Sequence, residues 1–424
     1  MADERTFVIV GASLAGAKAA EVLRAEGFTG RIVLVGEETE RPYERPPLSK
    51  GYLLGKDARD KAFVHDATWY AEHDIELVLG VRATALDPAA HTVTLDGVEP
   101  LRYDKLLLAT GSRVRTLDVP GTDLSGVRYL RTITEADALL DHLRRARRVV
   151  VIGAGWIGLE TAAAARTHGA EATVVEIDSL PLRRVLGDEV AQIFADLHRA
   201  NGVDLRFDSG VSEFRGSGGH LTSVLLTDGS ELAADVAIVA IGIRPNTELA
   251  ETAGLAVDNG ILVDAGLRTS DPDIYACGDV VNADNPLLGR RVRVEHWANA
   301  LHSGPAAARA MLGQDVVYDR VPYFYTDQFD LGMEYSGWAE PGGYDRVVFR
   351  GDVGKREFVA FWTAKGRVLA GMNVNVWDVT DEIQALVRAG YAGKAVDLAK
   401  LADPQVPLGD LVAGVSRPVP GDSS

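Results

Sequence analysis

Val149-Val150-Val151-Ile152-Gly153-Ala154-Gly155-Trp156-Ile157-Gly158 decides how this chain is read. A β-branched run of strand character enters glycines spaced GxGxxG, and an Ala-rich, helix-like stretch follows. Backbone N–H groups at such a helix start can cradle a pyrophosphate, and the helix dipole favours its charge. The same pattern stands near the N-terminus, where Phe7-Val8-Ile9-Val10 leads into Gly11-Ala12-Ser13-Leu14-Ala15-Gly16. One such fingerprint is a weak signal. Two of them, each with its own downstream acid, predict two dinucleotides and electrons moving between them.

The acids sit where ribose binding requires them. Arg31-Ile32-Val33-Leu34-Val35 runs into Gly36-Glu37-Glu38, and Ala172-Thr173-Val174-Val175 ends in Glu176. A carboxylate about 20 residues beyond the glycines accepts from ribose hydroxyls and repels a 2′-phosphate. Glu37 is the candidate in the first unit, with Glu38 able to take the same role. Arg183 and Arg184 follow Glu176 and can meet a phosphate, so Arg184 is kept among the cofactor candidates. Their plainer reading is solvated or structural, which favours NADH over NADPH. The first fingerprint departs from the pattern at Ser13, where the second glycine normally lets the backbone approach the pyrophosphate. The serine hydroxyl can instead donate to a phosphate oxygen.

Composition narrows the class. With 424 residues the chain exceeds one hydrophobic core and suits two or three domains. Apolar residues make up 46% and charged residues 25%, as in ordinary globular proteins. The uncharged run Val149 to Leu159, like every other in the chain, falls well short of the roughly 18 residues of a membrane span, so no membrane partner is expected. No basic start with a cleavage site is visible, and a single cysteine, Cys277, forbids an internal disulfide; both suit the cytoplasm. A formal charge of −17 argues against nucleic acid. An acidic protein partner would need a local basic patch, for which Arg144, Arg145, Arg147 and Arg148, or Arg290, Arg291 and Arg293, are the candidates. The histidines lack Cys/His metal spacing, so no metal site is expected, and no Ser/His/Asp set lies in a nucleophile-elbow context.

Strand–helix alternation fills the first part of the chain and closes at Leu106-Leu107-Leu108-Ala109-Thr110-Gly111. Val119-Pro120-Gly121 connects to the second nucleotide unit, which closes at Val236-Ala237-Ile238-Val239-Ala240-Ile241-Gly242. Thr269 to Asp279 then reads as an apolar turn into a buried acid. Beyond residue 320, Val347-Val348-Phe349 and Phe358-Val359-Ala360-Phe361-Trp362 alternate like antiparallel strands. The expected class is α/β: two nested Rossmann-like dinucleotide-binding domains plus a C-terminal α+β domain. Residues 1–114 and 244–321 form a discontinuous first domain, 115–243 the inserted one, 322–405 the C-terminal one, and 406–424 a tail expected to be partly disordered.

This order resembles the two-dinucleotide flavoprotein reductases, and within them the FAD-dependent ferredoxin, putidaredoxin and rubredoxin reductases of oxygenase systems, which are related to apoptosis-inducing factor. The likeness runs from Phe7 to about Ala402, and its most specific marker is Arg45-Pro46-Pro47-Leu48-Ser49-Lys50. Relatives with redox cysteines carry them in the early region, where this chain has none, so a dithiol route is closed. The resemblance implies that FAD occupies the first domain and NADH the inserted one. It implies that Arg45 and Lys50 contact FAD, with the Lys50 cation beside the flavin ring, and that Glu160 meets the nicotinamide and pairs with that lysine. The resemblance thus makes Lys50 and Glu160 the expected catalytic residues, in the sense of tuning and positioning.

By the same resemblance Ala15, Ala83, Arg131, Asp279 and Trp297 bind FAD, with Asp279 on the ribityl chain and Trp297 near the pyrimidine end. The cofactor set is completed by Gly11, Ser13, Leu14, Gly16, Glu37, Thr110 and Gly111, and by Gly153, Gly155, Trp156, Ile157, Gly158, Glu176, Arg184 and Gly242. Cys277 is read as a packing residue. Pro322-Tyr323-Phe324-Tyr325-Thr326-Asp327-Gln328-Phe329 resembles a motif that lines the flavin and faces the iron–sulfur partner, and some relatives carry Trp where this chain has Tyr325. The implied reaction is hydride transfer from NADH to FAD, then single-electron steps to a ferredoxin or rubredoxin that feeds a cytochrome P450 or a Rieske oxygenase. An NADH oxidase or quinone reductase without a protein acceptor, and an NADH-sensing scaffold, are the alternatives.

Overall fold

The computed structural model describes residues 3–411. Residues up to Ile177 together with Gly202–Asp319 form one compact unit, and Asp178–Asn201 with the residues from Arg320 onward form a second.

The first unit holds two parallel five-stranded sheets of one plan. In the first sheet the order is Ile274–Ala276, Lys105–Leu108, Thr6–Val10, Arg31–Gly36, Ile75–Leu79. In the second it is Val203–Arg206, Glu171–Val175, Arg148–Ile152, Val236–Val239, Val127–Arg128. Each sheet places its fingerprint strand internally, with the next strand on one side and a much later one on the other. That is the switch point at which open α/β sheets bind ligands beyond their carboxyl ends. Phe7, Val8, Ile9, Leu106, Leu107 and Leu108 are wholly buried, as strands covered on both faces require.

Ile274–Ala276, read from sequence inside an apolar turn, is the edge strand of the first sheet. Three residues are too few for periodicity to declare a strand; pairing with Leu106–Leu108 across the chain makes it one. Helix Leu14–Ala25 packs against helix Trp297–Met311 closely enough that a Cβ on Gly304 would strike the Ala15 carbonyl. Cys277, at the end of the edge strand, is fully buried, and burial pushes its thiol pKa up, so it serves as packing.

The second unit is built on an antiparallel sheet ordered Tyr323–Gln328, Leu331–Gly337, Arg367–Val374, Glu357–Ala364, Arg346–Asp352, with helix Thr380–Tyr391 packed on it. The alternation seen in the sequence thus becomes strands. Helix Asp188–Ala200 belongs to this unit, whereas the sequence reading kept it in 115–243. The Trp362 indole donates to the Leu186 carbonyl at 3.0 Å, and His198 Nε2 lies 2.9 Å from Gln328 Oε1. Arg350 donates to the carbonyls of Asp403, Pro404 and Val406, pinning the segment that ends in helix Leu408–Leu411. The remainder of the expected tail, 412–424, lies outside the described residues. Among the described residues no helix is long and apolar enough to cross a membrane, and no His/Cys/Asp/Glu group is placed to hold a metal ion.

Candidate active site at two glycine cradles

The two cradles share a construction. Gly11 has φ +126°, and a Cβ there would strike the Ala109 carbonyl; Gly153 has φ +98°, and its Cβ would strike the Ala240 carbonyl. Gly16 and Gly158 sit so close to the carbonyls of Gly11 and Gly153 that neither tolerates a side chain. These four glycines are demanded by packing. Gly155 is different: it caps helix Trp156–Thr167 with φ −77°, and a Cβ there would meet no atom within 4 Å. The space it keeps clear lies outside the protein's own packing, which fits a ligand's pyrophosphate. Ser13 holds the matching position before Leu14–Ala25, and its side chain makes no capping bond to the helix. Leu14 and Ala15 are buried, Trp156 is half-buried and Ile157 exposed.

The acids behave differently. Glu176 Oε2 accepts the Ala154 N–H at 2.6 Å, tying the acid to the second glycine loop. Glu37 is 70% exposed and lies 3.8 Å from Arg82. Glu38 is engaged within the protein: it accepts from Tyr43 Oη at 2.5 Å and pairs with Arg45 at 3.3 Å. Between the two, Glu37 is therefore the carboxylate open to solvent. Arg184 pairs with Asp178 at 2.7 Å and Arg183 with Asp188 at 2.5 Å, within the second unit.

Beside the first cradle lies a half-buried cluster of guanidinium groups. Arg45 donates to the Arg131 carbonyl, and Arg131 Nη2 lies 2.8 Å from Asp279 Oδ2. Arg131 Nε is buried and meets no hydrogen-bond partner, and burial together with the neighbouring Arg45 charge lowers the Arg131 pKa. A buried cationic donor without an acceptor is costly, and an anionic ligand oxygen would satisfy it. Burial likewise pushes the Tyr43 phenol up to about 12, keeping it a donor to Glu38. Thr110 and Asn246 exchange two hydrogen bonds of 2.8 Å, and the Asn246 N–H bonds the Gly111 carbonyl, locking the crossing of the two chain segments. Gly242 accepts from the Arg115 N–H at 2.9 Å, and Ala83 starts the strand Ala83–Asp87.

Within the first unit, the turn that ends at Lys50 meets the helix of the second cradle at Glu160. Lys50 closes the 3-10 turn Pro46–Ser49, and Glu160 lies in the helix that starts in the second cradle. Lys50 Nζ is 2.8 Å from Glu160 Oε1, and the Ser49 hydroxyl donates to Glu160 Oε2. Elsewhere, Trp297 Nε1 donates to Glu44 Oε2 at 3.0 Å, and burial raises the Glu44 carboxyl pKa. Ser49 as a donor, Glu44 and Asn246 were not among the sequence candidates, and nothing local in the chain distinguishes them. In the C-terminal sheet Tyr325 is half-buried opposite Glu334, which accepts from Tyr323 Oη at 2.7 Å. The arginine runs are partly consumed internally: Arg148 pairs with Asp235, Arg293 with Glu295, and Arg291 donates to the carbonyls of Val263 and Asn282.

Two glycine cradles of one construction, with a buried Lys50–Glu160 pair fastening the helix of the second to the turn Pro46–Ser49, suit an oxidoreductase that uses a pyridine nucleotide, and the chain belongs to the pyridine nucleotide-disulphide oxidoreductase family, whose model matches residues 5–304. A reductase C-terminal model matches residues 323–412. The chain is 43% identical to the anthranilate 1,2-dioxygenase system ferredoxin–NAD(+) reductase component of Burkholderia cepacia, over 95% of this chain and 98% of that one. It is 40% identical to rhodocoxin reductase of Rhodococcus erythropolis, over 87% and 86%. Its fold matches the crystal structure of the covalent putidaredoxin reductase–putidaredoxin complex with a TM-score of 0.91 and 37% identity, covering 96% of this chain and 98% of that one. The resemblance to the ferredoxin and putidaredoxin reductases carried by Arg45 to Lys50 is thereby borne out. With Cys277 as its one cysteine, the chain has no dithiol to exchange, whatever the family's description.

Proposed function

We propose that this chain is an NADH-dependent FAD flavoprotein that hands electrons singly to an iron–sulfur protein, a ferredoxin or a rubredoxin, which in turn feeds a cytochrome P450 or a Rieske oxygenase. The observation that carries this reading is the Lys50–Glu160 ion pair, which links the turn Pro46–Ser49 to the helix of the second cradle. Relatives named as ferredoxin–NAD(+) reductase and rhodocoxin reductase, and a matching fold solved with putidaredoxin attached, support the acceptor class.

Gly11, Ser13 and Gly16 would hold the FAD pyrophosphate, with Glu37 on its ribose. Arg45 and Arg131 would supply positive charge, and Asp279, Ala83 and Trp297 would orient the rest. Gly153, Gly155 and Gly158 would hold the NADH pyrophosphate and Glu176 its ribose. A bound flavin supplies the conversion of a two-electron donor's reducing equivalents into single electrons. Lys50 places a cation where negative charge develops, and Glu160 holds that cation in position. Ser49, Leu48 and Leu53 are buried around the turn, so little water reaches the pair. Tyr325 is proposed to line the acceptor side, and the lone buried cysteine suits a cytoplasmic setting.

The test is turnover of FAD-loaded protein with NADH, a panel of ferredoxins and a rubredoxin, and cytochrome c as the final reporter. Reduction of cytochrome c that requires one of these acceptors is expected. NADH consumption that proceeds equally well with oxygen or quinone and is indifferent to every iron–sulfur protein would overturn the reading in favour of an oxidase.

A further inference from the structure

The Glu160 carboxylate is held at two points. Lys50 takes Oε1 at 2.8 Å, and the Ser49 hydroxyl donates to Oε2. Ser49 and Glu160 are both buried, at 4% and 3% exposure. Two consecutive prolines, Pro46 and Pro47, open the turn that Ser49 closes, fixing φ ahead of the serine. The Lys50 and Tyr52 N–H groups both return to the Pro47 carbonyl, at 3.1 and 3.0 Å, so the hydroxyl is carried on a stiff loop. The other end of the Glu160 helix is also fastened to this loop, because His168 Nε2 lies 2.8 Å from the Leu53 carbonyl.

A carboxylate gripped at one oxygen still rotates about its terminal torsion, which is broad and two-fold. Gripped at both, its plane is fixed. We infer that Ser49 is a positioning residue of the nicotinamide nucleotide site: its hydroxyl sets the plane of the Glu160 carboxylate and, through it, how tightly that nucleotide is held. The inference rests on the reductase reading, which gives Glu160 its place beside the nicotinamide. No bond is made or broken by Ser49 itself. Sequence gives no hint of this role, since Ser49 lies 111 residues from its partner.

The deciding experiment is a double-mutant cycle on the FAD-loaded full chain, read by calorimetric titration with NAD+. Ser49→Ala is expected to weaken NAD+ about tenfold, the factor that loss of one hydrogen bond to a charged group produces. In a Glu160→Gln background the same change should alter affinity less than about twofold, because the group it orients is already changed. Ser49→Cys, a weak donor of similar shape, should fall between serine and alanine, and it carries the test if the alanine variant loses FAD or thermal stability. Equal weakening in both backgrounds, or none in either, would overturn the inference. Wild-type protein whose flavin is not reduced by NADH would instead defeat the reductase reading, so the two failures are distinguishable.

Discussion

Lys50 Nζ and Glu160 Oε1 stand 2.8 Å apart with their side chains 14% and 2% exposed, and this pair joins the turn after Arg45 to the helix after Gly155. A buried pair of this kind contributes little net stability while intact, because desolvation offsets attraction. Removing one partner is another matter, since it leaves the other charge buried alone. Lys50→Ala is expected to cost about 3 kcal/mol of stability and to slow NADH-driven flavin bleaching by at least about tenfold. Thermal unfolding and stopped-flow absorbance check both. A variant with wild-type bleaching rate and FAD content would remove Lys50 from the site.

Glu176, the proposed ribose acceptor of the second cradle, also accepts the Ala154 N–H. Glu176→Ala removes both, along with the negative charge that repels a 2′-phosphate. The ratio of kcat/KM for NADH over NADPH is expected to narrow by about tenfold. An unchanged ratio in steady-state assays would place cofactor choice elsewhere in the chain.

Gly155 and Gly158 separate ligand space from packing. A methyl at Gly155 meets nothing, so Gly155→Ala should keep the melting temperature while raising KM for NADH about tenfold, as the cradle loses room for the pyrophosphate. Gly158→Ala must push the Gly153 carbonyl away and should lower the melting temperature itself. If Gly155→Ala leaves KM untouched, the cradle does not bind the nucleotide as proposed.

His198 is buried and neutral, with burial holding its pKa down to about 4 against 6.5 when free. The unfolded chain therefore binds more protons than the folded one between those values, and stability rises with pH across that window. Its share, about 3 kcal/mol by the linkage relation, is fully present above about pH 6.5 and is lost as pH falls toward 4. Denaturant unfolding of His198→Gln should show a shallower decline over this range. An identical slope in both proteins would mean that other groups set the acid sensitivity.

The parts of this protein legible in its sequence are those whose cause is local. Val149 to Gly158 and Phe7 to Gly16 announce strand, cradle and helix because β-branched runs and glycines act within a few residues. The alternation at Phe358 to Trp362 is equally local. Lys50 and Glu160 needed the resemblance carried by the Arg45 to Lys50 motif, since either alone reads as a surface charge. What escaped was fixed by distant partners: Glu44 meets Trp297 across 253 residues, and Thr110 meets Asn246 across 136. The edge strand Ile274–Ala276 was missed for the same reason, because only its neighbour Leu106–Leu108 makes it a strand. That Tyr43 and Arg45 engage Glu38 from within, leaving Glu37 open to solvent, was likewise beyond what the adjacent pair of acids could show.

The most direct measurement is anaerobic stopped-flow mixing of the FAD-loaded protein with NADH, followed by a second mix with oxidised ferredoxin. Loss of oxidised-flavin absorbance on a sub-second scale, then its return as each ferredoxin takes up one electron, is the expected result. Bleaching over minutes with a long-lived NAD charge-transfer band, and no electron passed to ferredoxin, would contradict a reductase and favour an NADH-sensing scaffold.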